Sequence, residues 1–181
     1  MRMLSNALRC QRGFTLVELA IVLVIIGIIL GAVLKGQDLI ENANAKKIAS
    51  IPSQWEVPMW AYYDRNGSFP GDSAKDGAID SHAALETALD GAGLGHPQTT
   101  TNGVTVSISS INACGVANRN VMLLANVPLM AAKQLDNNFD GTEDATKGRI
   151  RNCGNAGTTA SAAWGTTDPT SVTYFFDKTI P

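Results

Sequence analysis

The residue best placed to do chemistry is an acid inside an apolar segment. Glu18 is the one charged side chain among the 21 residues from Phe14 to Leu34. Coiled as a helix at about 1.5 Å per residue, that run spans roughly 30 Å, the thickness of a bilayer's hydrocarbon layer. A carboxylate within it costs on the order of 2 to 3 kcal/mol at the bilayer centre and less towards the edge, so Glu18 calls for a partner. A second group is Asp136, Asn138 and Asp140 followed by Gly141, the D-x-N-x-D-G opening of a calcium loop, in which alternate oxygens converge on the ion and glycine makes the turn. Asp144 falls where such loops place a water-bridged ligand. Lys147 stands where a bidentate glutamate would close an EF-hand, which excludes the complete motif. Nucleophilic catalysis has no comparable signature: the serines are many, His82 and His96 stand apart, and no base with its orienter can be assigned.

The elements that would position Glu18 are a basic leader and the apolar helix behind it. Arg2, Arg9 and Arg12 precede Gly13-Phe14-Thr15-Leu16-Val17-Glu18-Leu19, and the string GFTLVELAIVLVIIGIILG runs on without a break. It resembles the type III signal of the type IV pilin and type II secretion pseudopilin family. The resemblance implies that a membrane peptidase cuts after Gly13, that the new terminal Phe14 is N-methylated, and that Glu18 pairs with the terminal amine of a neighbouring subunit. An ammonium and a carboxylate in lipid are each costly alone and tolerable together, so the physics agrees. Gly27 and Gly31 form a G-x-x-x-G step, which permits close helix approach, although glycine is common in membrane helices anyway. Two other readings compete. A secretory signal peptide cut near Ala43-Asn44-Ala45 has an apolar core of about 7 to 15 residues, shorter than this one, and Lys35, Asp38 and Glu41 intervene before that site. An uncut signal anchor leaves Glu18 unexplained.

On this resemblance the chain divides into a leader, 1–13, which is removed; a transmembrane and assembly half of the N-terminal helix, 14–34; an amphipathic half, 35–62; and a globular head, 63–181. The implied fold is α+β and pilin-like, a long N-terminal helix packed on a small C-terminal antiparallel sheet. The implied partners are other pilin or pseudopilin subunits, the prepilin peptidase, an inner-membrane assembly platform and, before assembly, the lipid bilayer. The implied role is a structural subunit of a type IV pilus or type II secretion pseudopilus; the alternative is a minor pilin that carries a binding, adhesion or DNA-uptake module. Either way the chain is a substrate of processing enzymes and not an enzyme. Glu18 argues against the tip subunits that lack this acid. Lys35 stands where many major pilins have a proline, which favours a pseudopilin or minor pilin. Major pseudopilins of the family bind calcium in a C-terminal loop, whereas in minor-pilin-like chains an acidic turn before a segment like Gly148-Arg149-Ile150 is structural. Calcium at Asp136, Asn138, Asp140 and Asp144 therefore stays open, and no other cofactor is expected.

Of the 181 residues, about 147 follow the apolar run, enough for one core. Beyond Gly13 there are 11 basic against 16 acidic side chains, which argues against general nucleic-acid binding, since phosphate contacts need clustered Lys and Arg. The basic leader fits the positive-inside rule, with the amino terminus in the cytoplasm, a single pass through a bacterial inner membrane, and the head facing the periplasm or a cell-surface filament. Removing the leader takes Cys10 with it and leaves Cys114 and Cys153 as an even pair in an oxidising compartment. A disulfide between them would stabilise by roughly 4 kcal/mol in the chain-entropy model; the alternative is two buried thiols.

Beyond Leu34, the residues Leu39, Ile40, Ala43, Lys47, Ile48 and Ile51 mix an apolar stripe with a solvated face. Pro52 and Pro58 predict a kink or restart near Ile51-Pro52, with Trp55, Trp60 and Tyr62 on the core side. Asn66-Gly67 and Pro70-Gly71 mark two reversals that end the helix. Ser81 caps a short helix through about Leu89, closed by Gly91. Val104, Val106 and Ile108 alternate with polar residues as in a half-buried strand, and Val121–Val127 and Val172–Phe176 are further strand candidates. Pro128 suits the first turn of a helix through Leu135. Residues Gly154–Thr167 read as a surface loop, and Trp164, Tyr174, Phe175 and Phe176 as core or interface.

Overall fold

The computed structural model describes residues 13–154, 157–166 and 170–176. Residues 1–12 of the expected leader, with Cys10, and part of the loop expected from Gly154 to Thr167, lie outside the described residues. The chain falls into two compact units, Met1–Glu41 and Asn42–Pro181.

The first unit holds most of helix α1 (Leu16–Ala49). From Gly13 to Leu34 no side chain is buried, and apolar residues face every direction around the axis. A helix that is apolar all round finds its favourable environment in lipid. Among the described residues this is the one helix long and apolar enough to cross a membrane.

The second unit is an α+β head built on one core. There α1 contributes Ala45, Ile48 and Ala49, then stops. Helix α2 (Ile51–Asn66) restarts at once with Pro52 in its first turn, where the missing N–H has no helical partner to lose. The expected break near Ile51-Pro52 is thus observed. Helix α2 runs past the expected end at Tyr62 to Asn66, where Gly67, at φ 71°, caps it by donating its N–H to the Tyr63 carbonyl at 2.8 Å. Pro58 is accommodated inside the helix. Ile51, Pro52, Trp55 and Met59 share the buried face. Trp60 corrects the sequence expectation: it follows Met59 by one residue, about 100° round the helix, and lies 43% exposed.

After the turn at Pro70-Gly71, helix α3 (His82–Gly91) begins with Ser81 Oγ accepting the Ala84 N–H at 3.2 Å, as its sequence implies. Gly71 is required here, since a Cβ would meet the Leu85 backbone nitrogen at 2.6 Å. Five antiparallel strands follow: β1 (Thr100–Thr101), β2 (Val104–Ala113), β3 (Val116–Val127), β4 (Ile150–Arg151) and β5 (Thr170–Phe175), in the order β1-β2-β3-β5-β4. Val106 opposes Leu124, which in turn opposes Val172, while Ile108, Met122 and Tyr174 make the next row. These rows, with Trp55, Leu85 and Leu89, form the main core. Helix α4 (Leu129–Asp140) starts after Pro128 and packs Ala131, Ala132 and Leu135 inward. On the other face of the sheet a smaller cluster gathers Ala113, Cys114, Val121, Cys153 and Phe175, so β5 is covered on both sides.

Candidate processing and assembly site

Gly13, Phe14 and Thr15 precede α1 in irregular backbone, and Phe14 is 82% exposed. The Gly13-Phe14 peptide bond therefore lies ahead of the helix. Thr15 and Glu18 cap the helix reciprocally. The Thr15 N–H and hydroxyl each donate to Glu18 Oε2 at 2.9 Å, and the Glu18 N–H donates back to Thr15 Oγ1 at 3.2 Å. Thr-x-x-Glu is the capping-box spacing, a signal that was available in the sequence and identifies Thr15 as the local partner of Glu18. The acid is thus held at the start of the helix, in the first turn, where the positive end of the helix dipole also favours it. Gly27 and Gly31 lie four residues apart on one face of α1, and a Cβ at either would meet nothing within 4 Å, leaving a smooth strip for a second helix.

In the head, Cys114 and Cys153 are joined, with their Cα atoms 5.0 Å apart. Cys114 sits in the β2–β3 turn and Cys153 just beyond β4, so the bond fastens the hairpin end to the segment that follows β4. The Cys114 N–H adds a hydrogen bond to the Gly157 carbonyl at 3.0 Å.

The acidic residues expected to open a calcium loop are arranged differently. Asp136, Asn138 and Asp140 belong to α4, where residues two apart point about 200° apart, so alternate side chains do not converge. Asp140 accepts the backbone N–H of Arg149 (3.0 and 2.8 Å to its two oxygens) and of Ile150 (2.8 Å), and so sets the start of β4. Asp144 accepts the Thr146 N–H and hydroxyl, at 3.1 and 2.6 Å. Asp136 is fully buried and accepts the Trp164 Nε1–H at 3.0 Å. Burial pushes the Asp136 carboxyl up to about 6; the Trp164 hydrogen bond opposes the shift, and the charges of Asp140 and Asp144 add to it. Asn138 is exposed. Among the described residues no group of three or more His, Cys, Asp or Glu is placed to hold a metal ion.

One polar cluster had no signal in the sequence. Glu56 of α2 accepts from Arg149 Nη2 at 2.6 Å and from the Tyr174 hydroxyl at 2.5 Å, Arg149 also bonds that hydroxyl, and its Nε donates to the Phe175 carbonyl at 3.1 Å. The guanidinium lies 4.6 Å from the Tyr174 ring centroid. Burial, reinforced by Glu56, drives the Tyr174 phenol far above its ordinary range, so it stays a donor. Residues 93 and 118 positions apart meet here, and no local spacing announces that. The two histidines also come together: His82 Nε2 and His96 Nδ1 approach Glu86 Oε1 at 3.3 and 3.6 Å, and both rings pack against the buried Trp55 ring.

No curated protein and no solved structure matches this chain. Residues 8–34 match the prokaryotic N-terminal methylation motif. With Gly13 and Phe14 ahead of the helix and the Thr15-capped Glu18 opening an apolar span, the chain carries the prepilin signal of type IV pilins and pseudopilins.

Proposed function

We propose that this chain is a structural subunit of an extracytoplasmic filament, a type IV pilus or type II secretion pseudopilus. It is inserted in the inner membrane as a precursor, cut between Gly13 and Phe14 by a prepilin peptidase, methylated on the Phe14 amine, and then drawn by an assembly platform into a helical stack of like subunits. The observation that carries this reading is the methylation motif over residues 8–34, with Glu18 as the one charged side chain of the Phe14 to Leu34 run. In the membrane the Thr15 capping box satisfies Glu18. On assembly the methylated amine of a neighbour takes up the same carboxylate, which fixes the register between subunits. Lys35, in place of a helix-loosening proline, and the unbroken α1 from Leu16 to Ala49 favour a pseudopilin or minor pilin over a major pilin.

Glu18→Ala tests the mechanism. Intact mass should show a chain beginning at methylated Phe14 in the membrane of the mutant, while the sheared filament fraction loses the subunit at least tenfold. Normal incorporation of the mutant would remove charge pairing from the mechanism. A mutant chain that keeps its leader would place Glu18 in peptidase recognition instead.

A further inference from the structure

We propose that a groove on the head binds a neutral oligosaccharide. The groove consists of two adjoining clefts of about 560 and 440 Å³, each within the range typical of small-molecule sites, which share Gly77 and Asn118 in their walls. The larger is aromatic. Trp60 lies half-exposed beside Phe69, ring centroids 5.5 Å apart, and Phe176 adds a further ring to the lining. The smaller is polar, with Asp76, Asp80 and Ser110.

The groove is framed before any ligand arrives. Asn120 holds the shared wall by accepting the Ile79 N–H at 3.0 Å and donating to the Gly77 carbonyl at 2.7 Å. Ser110 donates its N–H to the Ile79 carbonyl at 2.8 Å, and the buried Asp72 accepts the N–H groups of Asp76 and Gly77 at 3.2 and 2.9 Å. A preformed cleft spends little binding energy on ordering itself.

The lining selects the ligand class. Sugars present flat C–H faces, which suit the exposed indole, and rims of hydroxyls, which suit carboxylate and amide groups that accept and donate at fixed angles. A polyanion is disfavoured: the charged groups lining the two clefts are Glu56, Asp76 and Asp80 against Arg119 and Arg149, and Arg149 is already paired with Glu56. Asp76 accepts the Ala78 N–H at 2.9 Å and Asp80 the Ser73 N–H at 3.1 Å, each through one oxygen, and a wholly apolar peptide would strip water from the other oxygen of each carboxylate and give it no donor. The proposal is independent of the filament reading, because a subunit that failed to assemble would still carry the groove.

The test uses the full chain in lipid nanodiscs, passed over an array of neutral oligosaccharides of two to four units and over oligothymidylate, with titration calorimetry on any hit. Retention on a neutral glycan is expected, weakened about tenfold by Trp60→Ala and several-fold by Asn118→Gly. Glycine keeps the positive φ of 49° at position 118 without strain, so that variant preserves the fold even if the first does not. Val57→Ala, on the exposed part of the same helix but outside the groove, should bind as the parent does. Failure of every neutral glycan, or a hit that neither groove variant weakens, overturns the proposal. Stronger, groove-dependent retention of oligothymidylate overturns it in favour of a nucleic acid.

Discussion

Residues 14–34 and the core of the head are both rich in branched apolar side chains, yet they use them in opposite ways. In the helix Leu16 is 88% and Ile28 68% exposed, whereas in the head Ile108, Leu124 and Val172 are fully buried. The polar groups differ in the same sense. Glu18 finds its partner three residues away, whereas Glu56 finds its partner at Arg149, on the far side of the head's sequence. An apolar helix in lipid gains nothing by burying itself in its own chain, so its hydrogen bonds must close locally. A head in water is held by contacts between distant segments, and its polar groups are satisfied wherever the core happens to bring donors.

The contrast can be broken most forcefully at the disulfide. Replacing Cys114 and Cys153 together by serine should lower the head's unfolding free energy by roughly 4 kcal/mol in chemical denaturation, with N-terminal processing unchanged. A loss of processing in that double mutant would show that the N-terminal segment is handled only when the head is held by its disulfide.

A smaller effect is expected from Asp136. Its folded carboxyl titrates near 6, above its unfolded value, so the head carries its full contribution below about pH 4 and loses it as pH rises through 6. The loss amounts to at most about 3 kcal/mol. Asp136→Asn keeps an acceptor for the Trp164 indole while removing the charge, and should flatten this part of the stability–pH curve and raise stability at pH 7. An unchanged slope between pH 4 and 6 in the variant would assign the pH dependence to other groups.

The smallest effect is local to the helix start. Thr15→Val removes the hydroxyl that both donates to and accepts from Glu18, at a cost of about 1 kcal/mol to the first turn. Amide exchange at Glu18 in nanodiscs should quicken about fivefold, and the head should not change at all. No change at Glu18 would mean that its carboxylate reaches the Thr15 N–H well enough without the hydroxyl.

The strands and short helices of the head were largely legible. The alternation Val104-Val106-Ile108 marks the buried face of β2, and Ser81 and Gly67 cap the helices their residue types suggest. Helix α4 extends from the expected Leu135 to Asp140, so the D-x-N-x-D residues stand on a helix, where neighbours two apart point about 200° apart. Trp60 was misplaced for a similar reason: proline-rich helices obscure the apolar phase, and one residue changes the face.

The sequence by itself determined the features whose physics is local: an apolar run long enough to span a bilayer, an acid and a threonine three apart at its start, a Gly-Phe step beside it, and the two cysteines of the head. Only the tertiary structure decided which polar groups meet across the head. Glu56 joins Arg149 and Tyr174, Asp136 turns inward to Trp164, and Asn120 frames the groove beneath Trp60. Local spacing carries helix phase and capping, while those meetings depend on sheet order and on how α2 and α4 pack against it, and such long-range contacts leave no periodic trace along the chain.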